Sequence, residues 1–210
     1  MLVRDVMTYN VVTVPSTIPV LEAERLLESH KFERLPVVDK GKLVGLVTKD
    51  TLLKASPSPA TSLSRGELLY VLSKLTVKEI MKKNVVTVTP DTTIERATEI
   101  AQQNRVGCLL AVEEERVVGI LTTNDIFYKV LNPLFGIGEK GKRIVVYGAG
   151  EMEQMQKVFD CVKKAGLKIK TLWQPTGTEK KDLILQMETE DVGKLVSQLK
   201  KEGFSAEQRS

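Results

Sequence analysis

The sequence predicts an α+β protein in which one supersecondary unit is used twice and a different, smaller unit follows. The first observation is an internal repeat: with an offset of 74 positions, residues 3–52 align without a gap with residues 77–126, and 13 of the 50 aligned positions are identical. The second is the element order β-α-β-β-α, which hydrophobic periodicity predicts for both repeats. A duplicated unit indicates a pseudo-twofold pair, and the cleft between its halves is a natural ligand site.

Each repeat is predicted to begin with a strand and an amphipathic helix. The sequence Asn-Val-Val-Thr-Val at residues 10–14 recurs at 84–88, and its β-branched side chains favour a strand. Residues 16–17 in the first repeat and 90–91 in the second are expected to start the helix. Apolar residues then recur at helical spacing in both copies. These are Val20, Ala23, Leu26 and Leu27 in the first repeat, and Ile94, Ala97, Ile100 and Ala101 in the second.

A β-hairpin and a short helix are predicted to complete each repeat. Residues 39–41 (Asp-Lys-Gly) are a good hairpin turn because glycine tolerates positive φ, whereas 113–115 (Glu-Glu-Glu) are a poor one. The predicted strands cover 35–38 and 43–47 in the first repeat and 109–112 and 117–121 in the second, and the closing helices cover 50–54 and 125–131.

After residue 142 the pattern changes to β-α-β-β-α-β, the order of a ferredoxin-like split unit. Its strands are predicted at 143–147, 167–173, 182–188 and 204–207, and its helices at 151–165 and 191–202. The inward faces of these helices are predicted to carry Met155, Val158, Phe159 and Val162, and Val192, Leu195, Val196 and Leu199.

Five segments therefore organise the chain. A Pro/Ser/Thr-rich stretch at 55–64 and a predicted helix at 67–75 separate the two repeats. The expected boundaries are 1–55 for the first repeat, 56–76 for a linker with a helix, 77–132 for the second repeat, 133–142 for a second linker, and 143–210 for the last unit.

Composition argues against several classes of function. The formal net charge is +4 and aromatic residues make up 5%, so neither a basic footprint nor a stacking platform for nucleic acid is expected. No stretch approaches the ~20 apolar residues of a membrane span, and the first residues lack the apolar run of a signal peptide. Cys108 and Cys161 lie on elements predicted as core, which fits free thiols in a cytoplasmic protein.

The chemistry-bearing residues lie where the last strand of the second repeat ends. A hydroxyl at Thr122 is followed three positions later by the carboxylate of Asp125, at the expected start of a helix. Backbone amides at such a start, with the Thr122 hydroxyl, suit a phosphate, and Asp125 can accept both hydroxyls of a ribose. Arg34 and Lys31 could neutralise phosphate charge. The same spacing also fits an ordinary capping box, with Thr122 as N-cap and Asp125 as its partner.

The two repeats together resemble a tandem of CBS domains, often called a Bateman module. The resemblance covers nearly all of residues 1–131 in two in-register copies. It is carried by VRDVMT-x-x-VVTV at 3–14, RLPVVD at 34–39, KLVGLVT at 42–48, VKEIM at 77–81 and GILTTND at 119–125. It implies a regulatory module that binds AMP, ADP or ATP, and in some members S-adenosylmethionine or NAD.

The resemblance also implies which residues form each site, because the phosphate and ribose motif of one repeat faces a base cavity built by the other. One site would combine Thr122 and Asp125 with Val12, Phe32, Glu33 and Arg34. The other would combine Thr48 with Val86, Val106, Gly107 and Cys108. In the first repeat the ribose position is Thr51, with Asp50 one residue early, and position 108 lacks an arginine. We therefore expect one good nucleotide site, and one site that is weaker or empty with poorer phosphate neutralisation.

The last unit resembles an ACT domain, a small ligand-sensing and dimerising fold. Its first loop, Gly148-Ala149-Gly150-Glu151, departs from the family's Asp-x-x-Pro-Gly, which puts amino-acid binding in doubt. A CBS pair followed by an ACT-like domain is similar to bacterial acetoin-utilisation regulators. Both resemblances imply a homodimer that acts on a regulated protein still to be identified.

A regulatory protein is expected rather than an enzyme. No serine, cysteine or histidine has neighbours that suggest a nucleophile and base, and His30, the one histidine, is expected on the solvated surface. No structural metal site is expected. The first hypothesis is an adenine-nucleotide sensor whose repeats change their arrangement on binding. The alternative is a non-catalytic dimeric scaffold with vestigial nucleotide sites, in which the ACT-like domain senses a small molecule.

Overall fold

The computed structural model describes residues 1–55, 64, 66–67, 70, 74–176 and 181–209. It contains two compact units, Met1–Ile126 and Phe127–Ser210. The Pro/Ser/Thr-rich stretch at 55–64 and the predicted helix at 67–75 lie largely outside the described residues.

Both repeats of the first unit show a hairpin flanked by helices. The first repeat contains α1 (Val3–Val6), α2 (Val20–Ser29), β1 (Arg34–Asp39), β2 (Lys42–Thr48) and α3 (Lys49–Ala55). The second contains α4 (Val77–Ile80), β3 (Thr87–Val88), α5 (Ile94–Gln103), β4 (Cys108–Glu113), β5 (Arg116–Thr122) and α6 (Thr123–Asp125), which continues as a π-helix over Ile126–Leu131. The predicted hairpin strands and closing helices are thus found, with small shifts at their ends.

Backbone contacts relate the two repeats as a pseudo-twofold pair. The amide of Val3 donates to the carbonyl of Thr92 at 2.8 Å, and its equivalent Val77 donates to Ile18 at 2.9 Å. Leu46 and Lys82 exchange backbone hydrogen bonds of 2.9 and 3.0 Å, and so do Ile120 and Thr8. The first segment of each repeat, called here its lead-in (residues 3–8 and 77–82), therefore packs on the other repeat, which fixes how the two halves meet within this unit.

The prediction of a first strand in each repeat was largely wrong. In the first repeat only Val14 forms a parallel bridge, to Val37, and in the second only Thr87–Val88 pairs with β4. Asn10 has φ 53°, a left-handed conformation that interrupts an extended strand. Val11 and Val12 instead border a cavity described below, so their side chains line a surface rather than a sheet.

The predicted helix starts were also early. The observed N-caps are Pro19 and Thr93, and the Thr93 hydroxyl accepts from the Arg96 amide at 3.3 Å. The amide of Ser16 is bound by the Asp39 carboxylate at 2.9 Å, so residues 16–17 form a turn held by β1. Burial follows the predicted periodicity at Val20, Ala23 and Leu27, and at Ile94 and Ala97.

The second unit contains the predicted β-α-β-β-α-β order. Its described strands form a four-stranded antiparallel sheet in the order β7-β8-β6-β9. After α7 (Asn132–Phe135), the elements are β6 (Arg143–Tyr147), α8 (Met152–Lys164), β7 (Ile169–Trp173), β8 (Leu183–Met187), α9 (Gly193–Lys201) and β9 (Ser205–Arg209).

The buried residues on the two long helices of the second unit are, with one exception, those that periodicity predicts. Leu195 and Leu199 of α9 are fully buried. On α8, however, Phe159 is 37% exposed and Cys161 is 1% exposed, so the prediction of Phe159 as a core residue was wrong. The buried face runs through Val158, Cys161 and Val162 at helical spacing, and Phe159 lies one position off it. Both cysteines are buried and free, as predicted.

Candidate functional site

Two cavities lie between the repeats, each named here for the threonine that ends its hairpin. The Thr122 cavity has a volume of about 260 Å³ and the Thr48 cavity about 290 Å³. The Thr122 cavity is lined by Thr8, Asn10, Val11, Val12, Lys31, Phe32, Glu33, Arg34, Ile120, Thr122, Asn124 and Asp125. The Thr48 cavity is lined by Glu33, Arg34, Leu46, Thr48, Lys49, Asp50, Lys82, Asn84, Val85, Val86, Arg105, Val106, Gly107 and Cys108.

The structure brings together the two residue sets that the sequence grouped. Thr122 and Asp125 share one cavity with Val12, Phe32, Glu33 and Arg34. Thr48 and Asp50 share the other with Val86, Val106, Gly107 and Cys108. Within each set the hydroxyl and carboxylate groups come from one repeat and the wall residues from the other. A ligand in either cavity would therefore contact both repeats at once.

Asp125 has the geometry of a capping box. Its Oδ2 accepts hydrogen bonds from the Thr122 amide at 2.8 Å and from the Thr122 hydroxyl at 2.6 Å, and the Thr122 hydroxyl accepts from the Asp125 amide at 3.3 Å. The other carboxylate oxygen, Oδ1, accepts from the Thr8 hydroxyl at 3.3 Å, which is a long hydrogen bond. Asp125 is 8% exposed and still lines the cavity, so the capping role and a place in the cavity coexist.

The first repeat has no equivalent carboxylate. Thr51 stands at the position of Asp125, and its hydroxyl lies 2.8 Å from the hydroxyl of Thr48, which also accepts from the Thr51 amide at 3.1 Å. Asp50 lines the cavity, but its carboxylate accepts from Lys54 at 2.8 Å, and this hydrogen bond lowers the pKa of Asp50 below its ordinary value. The Thr48 cavity therefore lacks a nearly buried carboxylate equivalent to that of Asp125 in its counterpart.

Glu33 and Arg34 line both cavities. The Lys49 ammonium donates to the Glu33 carboxylate at 2.7 Å and holds the pKa of that carboxyl below its ordinary value. A Cβ at Gly107 would come within 3.1 Å of a terminal nitrogen of Arg34, so the guanidinium lies against the bare backbone of this glycine. Glycine at 107 thus leaves room for the cation that borders both cavities.

The expectation of poorer phosphate neutralisation in the Thr48 cavity was wrong. Four cationic side chains line it: Arg34, Lys49, Lys82 and Arg105. Two line the Thr122 cavity: Lys31 and Arg34. The absent arginine at position 108 is compensated by lysines from other elements. Cys108 itself is buried at the wall, and its burial raises the pKa of its thiol even though Arg34 and Lys82 act in the opposite direction.

The sequence prediction missed the polar wall residues near the lead-ins, among them Thr8, Asn10 and Asn124 in one cavity and Lys82 and Asn84 in the other. The internal repeat contained the signal that identifies them. Nearly every residue that lines the Thr122 cavity has an equivalent, at the 74-residue offset, that lines the Thr48 cavity. This holds for residues 8, 10, 11, 12, 31, 32, 33, 34, 120, 122 and 124.

Two negative observations apply to the described residues. No helix among them has both the length and the apolar character that crossing a membrane requires. Nor do they contain a cluster of three or more His, Cys, Asp or Glu side chains that could hold a metal ion.

The family model described as "CBS domain" matches residues 3–58 and 77–132. Among curated proteins, L-aspartate semialdehyde sulfurtransferase of Methanocaldococcus jannaschii is 33% identical over 127 residues, which cover 60% of this chain. The chain spans between 22% and 25% of the length of this enzyme and of the next relatives found, which are also enzymes.

Two solved structures of CBS-type proteins are also similar to this chain. A putative acetoin utilization protein (AcuB) from Vibrio cholerae has a TM-score of 0.53 at 27% identity, covering 63% of this chain and 91% of that one. The CBS domain pair of protein MJ0100, solved with 5′-methylthioadenosine and S-adenosyl-L-methionine, has a TM-score of 0.52 at 30% identity. It covers 66% of this chain and 98% of that one.

Proposed function

Because the chain belongs to the CBS-domain family, we propose that its tandem pair is a regulatory sensor that binds an adenosine-containing ligand in the Thr122 cavity. CBS pairs are regulatory modules that bind adenosine ligands, and the pair of MJ0100 was solved with two of them. One observation carries the proposal for this chain: a single cavity combines the Asp125 carboxylate of one repeat with Val12 and Phe32 of the other.

The arrangement supports a specific binding mode. The adenine would lie against the apolar wall of Val12 and Phe32, where burial of its faces is favourable. The ribose hydroxyls would donate to Asp125 Oδ1 and replace the long hydrogen bond from Thr8, while Oδ2 keeps its bonds to Thr122. The helix cap would thus survive binding.

Binding in this mode would be sensed by both repeats. Thr8 belongs to the lead-in of the first repeat, and its backbone pairs with Ile120 of the second. Displacing its hydroxyl from Asp125 alters a contact between the two halves. The ligand can shift their arrangement only if it binds one arrangement more tightly than another. AMP, ADP and ATP are the proposed ligands of the tandem pair as a whole, with S-adenosylmethionine and NAD as further members of the same chemical class.

The remaining features of the proposal concern the whole chain. The β-α-β-β-α-β order and the β7-β8-β6-β9 sheet support an ACT-like ferredoxin-type module in residues 143–210. We place the protein among non-enzymatic regulators, as a homodimer in the cytoplasm, similar to acetoin-utilisation proteins. We propose the boundaries 1–55, 77–132 and 143–210 for its three domains, joined by linkers at 56–76 and 133–142.

A second candidate function has one observation in its favour. The Asp125 carboxylate takes part in the capping box of α6, a structural role that it would keep in a site that no longer binds nucleotide. In this case the protein is a dimeric scaffold, and the ACT-like module senses the small molecule.

Isothermal titration separates the two candidates. The full chain and Asp125→Ala are titrated with AMP, ADP, ATP, NADH and S-adenosylmethionine. The sensor account predicts saturable binding of at least one of these ligands in the Thr122 cavity that Asp125→Ala abolishes, with Glu28→Ala, an exposed change on α2, as a control that retains it. The absence of heat with every ligand, or binding of every ligand that is unchanged in Asp125→Ala, would favour the scaffold.

A further inference from the structure

The two cavities are built from equivalent residues of the two repeats but differ in charge. Lys82 stands where the other cavity has Thr8, and Lys49 stands at the position equivalent to Thr123. Arg105 is the equivalent of Lys31, so the two substitutions account for the extra cations. The repeat therefore keeps the shape of the cavity while changing its electrostatics.

The two carboxylates of the Thr48 cavity, Glu33 and Asp50, offset its four cations only in part, and each forms its ion pair with a different lysine. Glu33 binds Lys49 at 2.7 Å, and Asp50 binds Lys54, which does not line this cavity. Within the part of the chain that the structure describes, Arg34, Lys82 and Arg105 form no ion pair with an acidic side chain. Three cations therefore face the cavity without a bound counter-charge from the protein.

The Thr122 cavity is close to electrically balanced. Lys31 and Arg34 face the carboxylates of Glu33 and Asp125. Phe32 adds an aromatic surface that stacks on His30, with ring centroids 5.1 Å apart. A ligand with many negative charges gains little here, because Asp125 would repel it, whereas an uncharged nucleoside is held by Asp125 and the apolar wall.

We propose that the Thr48 cavity is the site for a nucleoside triphosphate and that the Thr122 cavity takes an adenosine ligand of low negative charge. This inference rests on the proposed function and adds a division of ligands between the two cavities. The phosphate chain pairs with Arg34, Lys82 and Arg105, as guanidinium and ammonium groups do with phosphate oxygens. This pairing supplies binding affinity in place of a ribose-binding carboxylate, which the Thr48 cavity lacks because residue 51 is a threonine.

Backbone geometry supports Lys82 as the central contact. Its amide and carbonyl both pair with Leu46, at 3.0 and 2.9 Å, so its Cα is fixed at the rim of the Thr48 cavity. Its side chain lines the cavity. Lys83, the next residue, is equally exposed but does not line the cavity, so it offers a control with the same change of charge.

Titration of the full chain with ATP, adenosine and inorganic triphosphate tests the division. We compare the wild type with Lys82→Thr, which installs the residue of the other repeat, and with Arg105→Gln, Lys83→Thr and Asp125→Ala. We expect Lys82→Thr and Arg105→Gln each to weaken ATP binding about tenfold and to leave adenosine binding unchanged. Lys83→Thr should match the wild type, and Asp125→Ala should lose adenosine but keep ATP. Added NaCl should weaken ATP binding much more than adenosine binding.

Several outcomes would overturn the inference. They are an ATP affinity that neither Lys82→Thr nor Arg105→Gln lowers, an equal loss of ATP affinity in Lys83→Thr, or the loss of both ATP and adenosine binding in Asp125→Ala. Its failure is distinguishable from that of the proposed function. Adenosine binding without charge-dependent ATP binding overturns only the division. Binding of inorganic triphosphate that depends on Lys82, without adenosine binding at Asp125, overturns the adenosine sensor and leaves an anion site in the Thr48 cavity.

Discussion

Glu115 occupies in the second hairpin the left-handed backbone position that Gly41 occupies in the first. Their φ angles are 64° and 81°, and the residues before them, Glu114 and Lys40, also have positive φ, at 48° and 51°. Two successive residues with positive φ are the geometry of a type I′ hairpin turn. The second hairpin therefore forms without the glycine that this turn favours, at a cost in backbone strain.

Exchanging these residues should change stability in opposite directions. Glu115→Gly should raise the free energy of unfolding by about 0.5–1 kcal/mol, because glycine removes the left-handed penalty but adds chain entropy to the unfolded state. Gly41→Glu should lower it by a similar amount. The ion pair between Lys42 and Glu115 is exposed and contributes little to the balance. Urea unfolding monitored by circular dichroism measures both changes, and a destabilised Glu115→Gly would contradict the strain argument.

The hydroxyl that ends each hairpin should stabilise the following helix. Thr122→Val removes the acceptor for the Asp125 amide and a donor to the Asp125 carboxylate. Thr48→Val removes only the partner of Thr51. We expect a loss of about 1 kcal/mol in Thr48→Val, typical of an N-cap, and a larger loss in Thr122→Val. The larger loss in Thr122→Val is expected because the nearly buried carboxylate of Asp125 loses a hydrogen-bond donor.

Thermal unfolding of the two valine variants, with Thr98→Val as a reference for a hydroxyl that donates within α5, checks this order. Equal losses in Thr48→Val and Thr122→Val would show that Asp125 does not depend on its cap.

Acid should weaken the first repeat through Asp39. The Ser16 amide donates to the Asp39 carboxylate at 2.9 Å, and this hydrogen bond holds the pKa of Asp39 below its ordinary value. A lowered folded-state pKa contributes stability above the unfolded pKa of ~3.9, and the contribution is lost as the pH falls through the lower folded-state pKa.

Asp39→Asn should therefore destabilise the protein near pH 7 and reduce the fall in stability between about pH 5 and pH 2. Denaturant unfolding across this range measures the slope for the wild type, Asp39→Asn and Glu28→Gln, which removes an exposed carboxylate. The same slope in Asp39→Asn as in the wild type would contradict a role for Asp39.

Cys108 should report occupation of the Thr48 cavity. It lines the cavity, and because burial raises the pKa of its thiol, little thiolate is present at pH 8. In Cys161→Ser, which leaves Cys108 as the only thiol, we expect reaction with a chromogenic disulfide to be slower than for a free thiol. ATP should slow it further.

The complementary variant Cys108→Ser leaves only Cys161 of α8. ATP should not change the reaction rate of Cys161, which is buried in the second unit. Equal protection of both thiols would point to a general stabilisation of the protein instead of occupation of the Thr48 cavity.

The sequence predicted best what periodicity and duplication encode. The hairpins and the buried faces of α2 and α5 follow from local pattern and from the repeat, whereas the grouping of residues in each cavity was implied by the resemblance to CBS domains. The first strand of the first repeat was predicted wrongly because residues 10–13 have the composition of a strand, but Asn10, Val11 and Val12 line a cavity. The early helix start at Ser16 failed because its amide is held by Asp39, 23 residues away, a contact that local composition does not show.

The charge of the Thr48 cavity was missed for a related reason. Lys82 and Lys49 come from different elements and converge only through the pairing of Lys82 with Leu46. An inspection of position 108 alone finds a missing arginine and concludes that the site is poorer. The fold places cations that are distant in sequence around the same cavity. The charge of a site built by two repeats therefore has to be predicted from the residues of both repeats.

A crystal structure of the full chain grown with adenosine, the fragment common to all the proposed ligands, tests the central claim most directly. The account predicts the ribose hydroxyls within hydrogen-bond distance of Asp125 Oδ1 and the adenine against Val12 and Phe32, with the bonds from Thr122 to Oδ2 intact. Adenosine bound elsewhere, or a Thr122 cavity that stays empty while Asp125 keeps its bond to Thr8, would contradict it.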